Sequence, residues 1–168
     1  MAKIDLKYCS IRIQDGTAPA NFIEVKVGDG TLTWSEKRNM EYQLDRGNLD
    51  TVREGDQVPM DISLDLMYEF IKSDSTGVPT PEEALKKIGE AAAWTSTSSD
   101  ACEPYAVDLI LIYTPPCGGE KIEAVILPDY RWESLDHDPK AGTIVTSGKC
   151  NATQALIQRL SATSSLSA

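Results

Sequence analysis

The sequence predicts a mainly β protein: an antiparallel β-sandwich or partly closed barrel of about eight strands, with one flanking α-helix at about 81–90. Three observations carry this reading. Apolar residues alternate with polar ones at period two along most of the chain, as in Val58, Met60, Ile62, Leu64, Leu66 and Tyr68. Runs rich in Gly, Pro and Asp punctuate the alternation at short intervals. Helical spacing stands out once, at Ala84-Leu85-Lys86-Lys87-Ile88. Thr80-Pro81-Glu82-Glu83 precedes it and supplies an N-cap, a first-turn proline and a capping-box glutamate. A chain of 168 residues is expected to form one domain, 1–168, with a core that needs no disulfide or metal to fold.

Taken in order, the first strand is expected over residues 3–13, with Ile4, Leu6 and Tyr8 on one face and a switch of apolar phase near Cys9. Asp15-Gly16 opens a loop through Ala18-Pro19-Ala20. Ile23, Val25 and Val27 alternate in a second strand, Gly28-Asp29-Gly30 reads as a tight turn, and Leu32 and Trp34 alternate beyond it. The pattern predicts a β-hairpin over 21–36. Residues 36–57 are polar, with only Met40, Tyr42 and Leu44 to pin a short strand, and are expected to form a long loop excursion.

Val58–Tyr68 is the clearest strand, apolar on one face, with Asp61, Ser63 and Asp65 on the other. After the helix, Thr95–Asp100 reads as a polar loop and Tyr105–Tyr113 as a central strand apolar on both faces. A turn at 115–119 returns Lys121–Leu127 as its antiparallel partner. Asp129–Lys140 reads as a charged connection, Gly142–Cys150 as the last strand and Thr153–Leu160 as a short amphipathic turn. A Ser/Ala-rich tail at about 161–168 is expected to fray.

Twenty-six acidic side chains against 16 basic ones give a net charge of −10. This argues against a surface built for duplex DNA or an anionic membrane, since either needs a basic footprint. No apolar run reaches the roughly 18–20 residues of a membrane helix. The first residues lack the apolar stretch of a secretion signal, so a cytoplasm-like setting is expected. The four cysteines, Cys9, Cys102, Cys117 and Cys150, form no C-x-x-C pair, and they read as reduced side chains rather than as a zinc site with His137.

Nucleophilic catalysis needs a base beside the nucleophile. The single histidine sits in Leu135-Asp136-His137-Asp138-Pro139, read as a solvated turn, and the carboxylates do not converge in sequence. The expectation is therefore a protein that is not an enzyme and carries no cofactor. What remains are two surfaces awkward for a monomer: the acidic face of Val58–Tyr68 and the 36–57 excursion.

The run Tyr42-Gln43-Leu44-Asp45-Arg46-Gly47-Asn48-Leu49-Asp50-Thr51-Val52-Arg53-Glu54-Gly55-Asp56, leading into Val58-Pro59-Met60-Asp61-Ile62-Ser63-Leu64, resembles the major tail (tail tube) proteins of long-tailed bacteriophages. So do Leu127-Pro128-Asp129-Tyr130-Arg131-Trp132-Glu133 and Gly142-Thr143-Ile144-Val145-Thr146-Ser147-Gly148-Lys149-Cys150-Asn151. The resemblance runs from about residue 20 to 153. It implies a β-sandwich subunit forming homo-hexameric rings that stack into a hollow tube in the virion tail, assembled in the host bacterial cytoplasm. DNA would pass through the lumen without specific binding, and the tape-measure, tail terminator and distal tail proteins would be partners.

On this reading Asp61, Ser63 and Asp65 face the lumen with Glu24 and Lys26, and an acidic lining repels passing phosphates. Arg38, Tyr42, Arg46, Asn48, Asp50, Arg53 and Glu54 would contact a neighbouring subunit or ring. Two alternatives stand beside it. One is the tube protein of a contractile secretion system; the other is a monomeric carbohydrate-binding β-sandwich using exposed aromatics among Trp34, Trp94, Tyr130 and Trp132, of which Trp34 reads as core because it shares the face of Leu32.

Overall fold

A computed structural model describes residues 4–25, 27, 30–67, 78–116 and 121–160. A 3-10 turn at Leu6–Tyr8 leads into β1 (Cys9–Gln14), followed by β2 (Phe22–Val25), β3 (Leu32–Ser35), β4 (Arg38–Asp45), β5 (Asn48–Gln57) and β6 (Met60–Met67). Helix α1 (Pro81–Lys86) and a 3-10 turn at Gly89–Ala91 precede β7 (Val107–Tyr113), β8 (Ile122–Asp138), β9 (Thr143–Cys150) and β10 (Leu156–Leu160). Among the described residues the protein is mainly β, with antiparallel sheets, one short helix and no closed barrel.

Eight strands form one hydrogen-bonded sheet in the order β2-β1-β7-β8-β9-β6-β3, with β10 also paired to β8. Its pivot is β8, 17 residues long. Residues 123–127 pair with β7 on one side and residues 122–126 with β10 on the other, whereas Tyr130–Asp138 pair with β9. Between these stretches lies Pro128-Asp129, where Asp129 adopts a positive φ of 52° and the β7–β8 register shifts.

The sheet thus has two halves. One is β2-β1-β7 with β10 and the first part of β8; the other is β3-β6-β9 with the last part of β8. Both bury side chains in one core: Ile11, Ile13, Ile23, Val25 and Leu109 from the first, Ile62, Leu64, Leu66 and Ile144 from the second. Leu85 and Trp94 from the helical segment join them, and Trp34 packs against this core from β3, as its shared face with Leu32 predicts.

Helix α1 begins as its sequence dictates. Thr80 Oγ1 accepts from Glu83 N at 3.3 Å, and Glu83 Oε2 accepts from Thr80 N at 3.3 Å. The helix is shorter than expected because Lys87 turns left-handed at φ 57° and ends it.

Five further expectations are corrected. Residues 21–36 form two strands but not a hairpin: β2 pairs with β1, and β3 pairs with β6. Gly30 N donates to Val27 O at 2.8 Å, but β2 and β3 stand at opposite ends of the sheet order. Residues 36–57 are not a loop; β4 and β5 form a separate two-stranded ribbon. The charged connection at 129–140 continues β8, and the amphipathic turn at 153–160 contains β10. In both stretches the ladder on β8, rather than a strong apolar alternation, sets the extended conformation. The first strand starts only at Cys9, and the apolar phase switch there marks the exit from the 3-10 turn. Tyr68, the turn residues from Cys117 onward and the 161–168 tail lie outside the described residues.

One buried carboxylate fastens the loop after β1 to the segment before β7. Asp15, 1% exposed, accepts from Asn21 N at 2.7 Å, Asn21 Nδ2 at 3.1 Å, Thr17 N at 3.2 Å and Thr95 N at 3.2 Å, and also from the Thr17 hydroxyl. Gly16 N donates to Thr95 O at 2.9 Å, and a Cβ on Gly16 would meet Ser96 O at 2.3 Å, so only glycine fits. Burial pushes the Asp15 carboxyl up, but the donated hydrogen bonds outweigh it and hold it below its ordinary value. A depressed folded-state value contributes stability above the unfolded value of about 3.9, lost as pH falls through the folded one. Asp15→Ala is expected to cost about 2–4 kcal/mol in urea unfolding at pH 7, with the gap to wild type shrinking below about pH 4.

Candidate functional site

The outer faces of the two sheet halves differ in chemistry. On the β3-β6-β9-β8 half, side chains pointing away from the core line up in cross-strand rows. Ser35, Asp61, Lys149 and Arg131 form one row, and Thr33, Ser63, Ser147 and Ser134 the next. Asp65, Val145 and Asp136 follow, then Met67, Thr143 and Asp138. Alternation explains the rest: Met60, Ile62, Leu64 and Leu66 take the core side of β6, leaving Asp61, Ser63 and Asp65 outside.

Hydroxyls and carboxylates dominate this face. Asp61 is partly neutralised, with Lys37 Nζ at 3.4 Å and Lys149 Nζ at 3.9 Å. Asp65, Glu133, Asp136 and Asp138 add negative charge. A shallow groove of about 440 Å³ runs along it between Thr33, Asp61, Ser63, Glu133 and Ser147. The outer face of the other half carries Ile110, Ile112, Ala124 and Ile126 in a second apolar cluster, flanked by Ile122 and Leu160.

The expected lumen set is therefore only partly brought together. Asp61, Ser63 and Asp65 share one polar face. Glu24 does not join them; it lies on β2, in the other half, 3.8 Å from Arg12 across the β1–β2 ladder. Lys26 lies outside the described residues.

The second surface is the ribbon. Its turn is Arg46-Gly47, with φ of 51° and 85°, the two positive values a type I′ hairpin turn requires. Cross-strand pairing gives the ribbon two chemically distinct faces. Glu41 pairs with Arg53 in a salt bridge, Thr51 donates to Gln43 at 3.0 Å, and Asp45 stands opposite Asn48 on the polar face. Tyr42 stands opposite Val52, Leu44 opposite Leu49 and Met40 opposite Glu54 on the other.

That second face is apolar and bare: Tyr42 is 64% exposed, Leu44 62%, Leu49 77% and Val52 57%. Of the expected contact residues, Tyr42 and Glu54 fall on it, Arg53 falls on the polar face, Arg46 and Asn48 sit at the turn, Asp50 occupies the register shift, and Arg38 opens β4 at the base. Sequence reasoning missed Met40, Leu44, Leu49 and Val52. The signal was the alternation of Met40, Tyr42 and Leu44 mirrored across Arg46-Gly47 by Leu49 and Val52, with an extra residue at Asp50 hiding the period.

At the joint of β8 two carboxylates meet. Asp108, 7% exposed, accepts from Asp129 N at 3.1 Å, and Thr97 Oγ1 donates to Asp129 Oδ1 at 2.7 Å. Burial first, with the Asp129 charge adding, pushes the Asp108 carboxyl up to about 6. Cys150, opposite Tyr130, is pushed up to about 12 by burial and then by these carboxylates, which makes it an inert packed thiol. His137 is not in a turn but on β8, its Nε2 3.2 Å from Glu82 Oε1 on α1. Among the described residues no group of three or more His, Cys, Asp or Glu could hold a metal ion, and no helix is long and apolar enough to cross a membrane.

No family model and no curated protein matches this sequence. Among solved structures, the chain is similar to the sheath/tube terminator of an extracellular contractile injection system, PVC, in its extended state. The TM-score is 0.55 at 12% identity, covering 94% of this chain and 98% of that one. At that identity the likeness shows the fold alone.

Because the folded value of Asp108 lies above its unfolded one, its contribution to stability is full below about pH 3.9 and is lost as pH rises through about 6. Asp108→Asn keeps an acceptor for Asp129 N without the charge. It is expected to raise stability by about 2–3 kcal/mol at pH 8 and to change it little at pH 4, measured by urea unfolding at both values.

Proposed function

We propose that this protein is a structural subunit, not an enzyme, that polymerises as stacked hexameric rings into the hollow tube of a phage tail. The observation that carries this reading is the bare apolar face of the β4–β5 ribbon. An isolated two-stranded hairpin is at best marginally stable in water. A projecting one that exposes Tyr42, Leu44, Leu49 and Val52 gains from being covered by another subunit. Burying such side chains contributes roughly 1.5–3 kcal/mol each, before the costs of association.

The polar face with Asp61, Ser63 and Asp65 would line the lumen. A surface of hydroxyls and carboxylates offers phosphate backbones little to bind, so DNA slides past it. In this role the chain is a virion component, completed by tape-measure, terminator and distal tail proteins.

The fold likeness favours a second reading: a tail component of a contractile injection system, including a terminator that ends a tube instead of building it. Electron microscopy of the concentrated protein separates them. Hollow tubes of uniform diameter are expected for a tube subunit. Rings that never stack would replace the tube reading with the terminator one, and a strict monomer at every concentration would count against both.

The ribbon's part is tested with Leu49→Asp combined with Val52→Asp. Both positions are solvent-exposed, so unfolding free energy should change by no more than about 0.5 kcal/mol while assembly in light scattering is abolished. Unchanged assembly would rule the ribbon out as the docking element.

A further inference from the structure

We infer that the bend in β8 is an acid-locked joint: a neutral Asp108 carboxyl keeps the bend docked on β7, and ionisation of Asp108 releases it. The device works within one subunit, whether or not subunits assemble.

The backbone shows why the bend needs a side chain. The β7–β8 ladder passes from Leu109 opposite Leu127 to Val107 opposite Tyr130, so Asp108 alone faces Pro128 and Asp129. Pro128 has no N–H to give. The amide of Asp129 donates to Asp108 Oδ1 at 3.1 Å, so a side-chain oxygen takes the part of a ladder carbonyl. Three segments are then tied to Asp129. Its carbonyl accepts from Asn151 N at 3.3 Å, just beyond β9, and its Oδ1 accepts from Thr97 Oγ1 at 2.7 Å. Thr97 N donates in turn to Ala106 O at 3.1 Å, just before β7. Loosening Asp129 loosens β8 from β7, from the end of β9 and from the 95–106 segment together.

The charges around Asp108 do not balance it. On β8 the neighbour is the Asp129 carboxylate, and on β9 it is the Cys150 thiol, itself pushed up by both carboxylates. On β1 the residue opposite is the uncharged Gln14. Further along β1, Arg12 is engaged with Phe22, 3.8 Å from its ring centre, and with Glu24 at 3.8 Å. Asp15 is held by its own donors. From the 95–106 segment come the Thr97 hydroxyl and Glu103, which pairs with Arg131 at 3.0 Å. Among the described residues Asp108 thus has a carboxylate neighbour and no cation partner.

A neutral carboxyl still offers Asp129 N an acceptor oxygen without setting two like charges in a buried site. Burial first, then the Asp129 charge, pushes Asp108 up to about 6. As pH rises through that value the closed bend holds two carboxylates, and opening hydrates them. Asp129 gives way most readily, because its φ of 52° is a left-handed conformation that a residue with a Cβ leaves easily. Against a solvated carboxyl at about 3.9, the closed value raises the opening constant about tenfold between pH 5 and pH 8.

Hydrogen exchange of the full chain, read by mass spectrometry at pH 5 and pH 8 and corrected for intrinsic rates, tests this. Peptides covering 127–132 and 149–152 are expected to lose protection about tenfold at pH 8. They should also exchange faster than β6 and independently of low urea, the mark of a local opening. Asp108→Asn should keep the bend protected at both pH values. Asp129→Asn, which removes only the second charge, should shrink the pH dependence, and it serves if the first variant does not fold. Equal protection at pH 5 and pH 8 would overturn the joint. So would a bend that opens only at the rate and urea dependence of β6, or a pH dependence that both variants retain in full.

Discussion

The structure depends on one strand serving two sheet halves. Strand β8 gives its first residues to β7 and β10 and its last to β9, bending at Pro128-Asp129 in between. Because β8 runs on through that joint, both halves belong to one sheet and bury side chains in one core. Everything that gives the protein its surfaces follows from this geometry. The halves turn different outer faces away from the core, and one of those faces is mostly polar.

Two buried carboxylates hold the connections around this frame, and they do so with opposite electrostatics. Asp15 is ringed by donors from Thr17, Asn21 and Thr95, so its charge is stabilised and the loop after β1 is tied to the chain that leaves the helix. Asp108 has one backbone donor and a second carboxylate for a neighbour, so burial wins and its charge is disfavoured. Burial alone does not set the sign. The number of donors brought to each carboxylate does.

The polar sheet face and the ribbon present contrasting problems to a lone subunit. The face is comfortable in water, with Asp61 held between Lys37 and Lys149. The ribbon is not, since its own two strands supply its hydrogen bonds but nothing on the same strands covers Leu49 or Val52. In the assembly we propose, the apolar arm would be buried by another subunit and the polar sheet would stay exposed to the channel.

The sequence by itself determined the class of the protein and much of its interior. Period-two alternation identified β6 and β7, the capping box identified α1, and the inward and outward sets of β6 were legible because a strand's side chains alternate whatever it pairs with. The family resemblance pointed to a mainly β, tail-tube-like fold, and the likeness to the terminator structure is one of fold alone. Partner choice was not legible. Residues 21–36 look like a hairpin, yet β2 and β3 stand at opposite ends of the sheet, because pairing depends on contacts far apart in sequence. The tertiary structure also decided that 36–57 is a two-faced ribbon, that 129–138 continues β8 and that Glu24 stands apart from Asp61. In each case the local pattern was weak or shared by several pairings. The deciding energy came from ladder bonds and core contacts supplied by distant strands, which no local stretch of sequence contains.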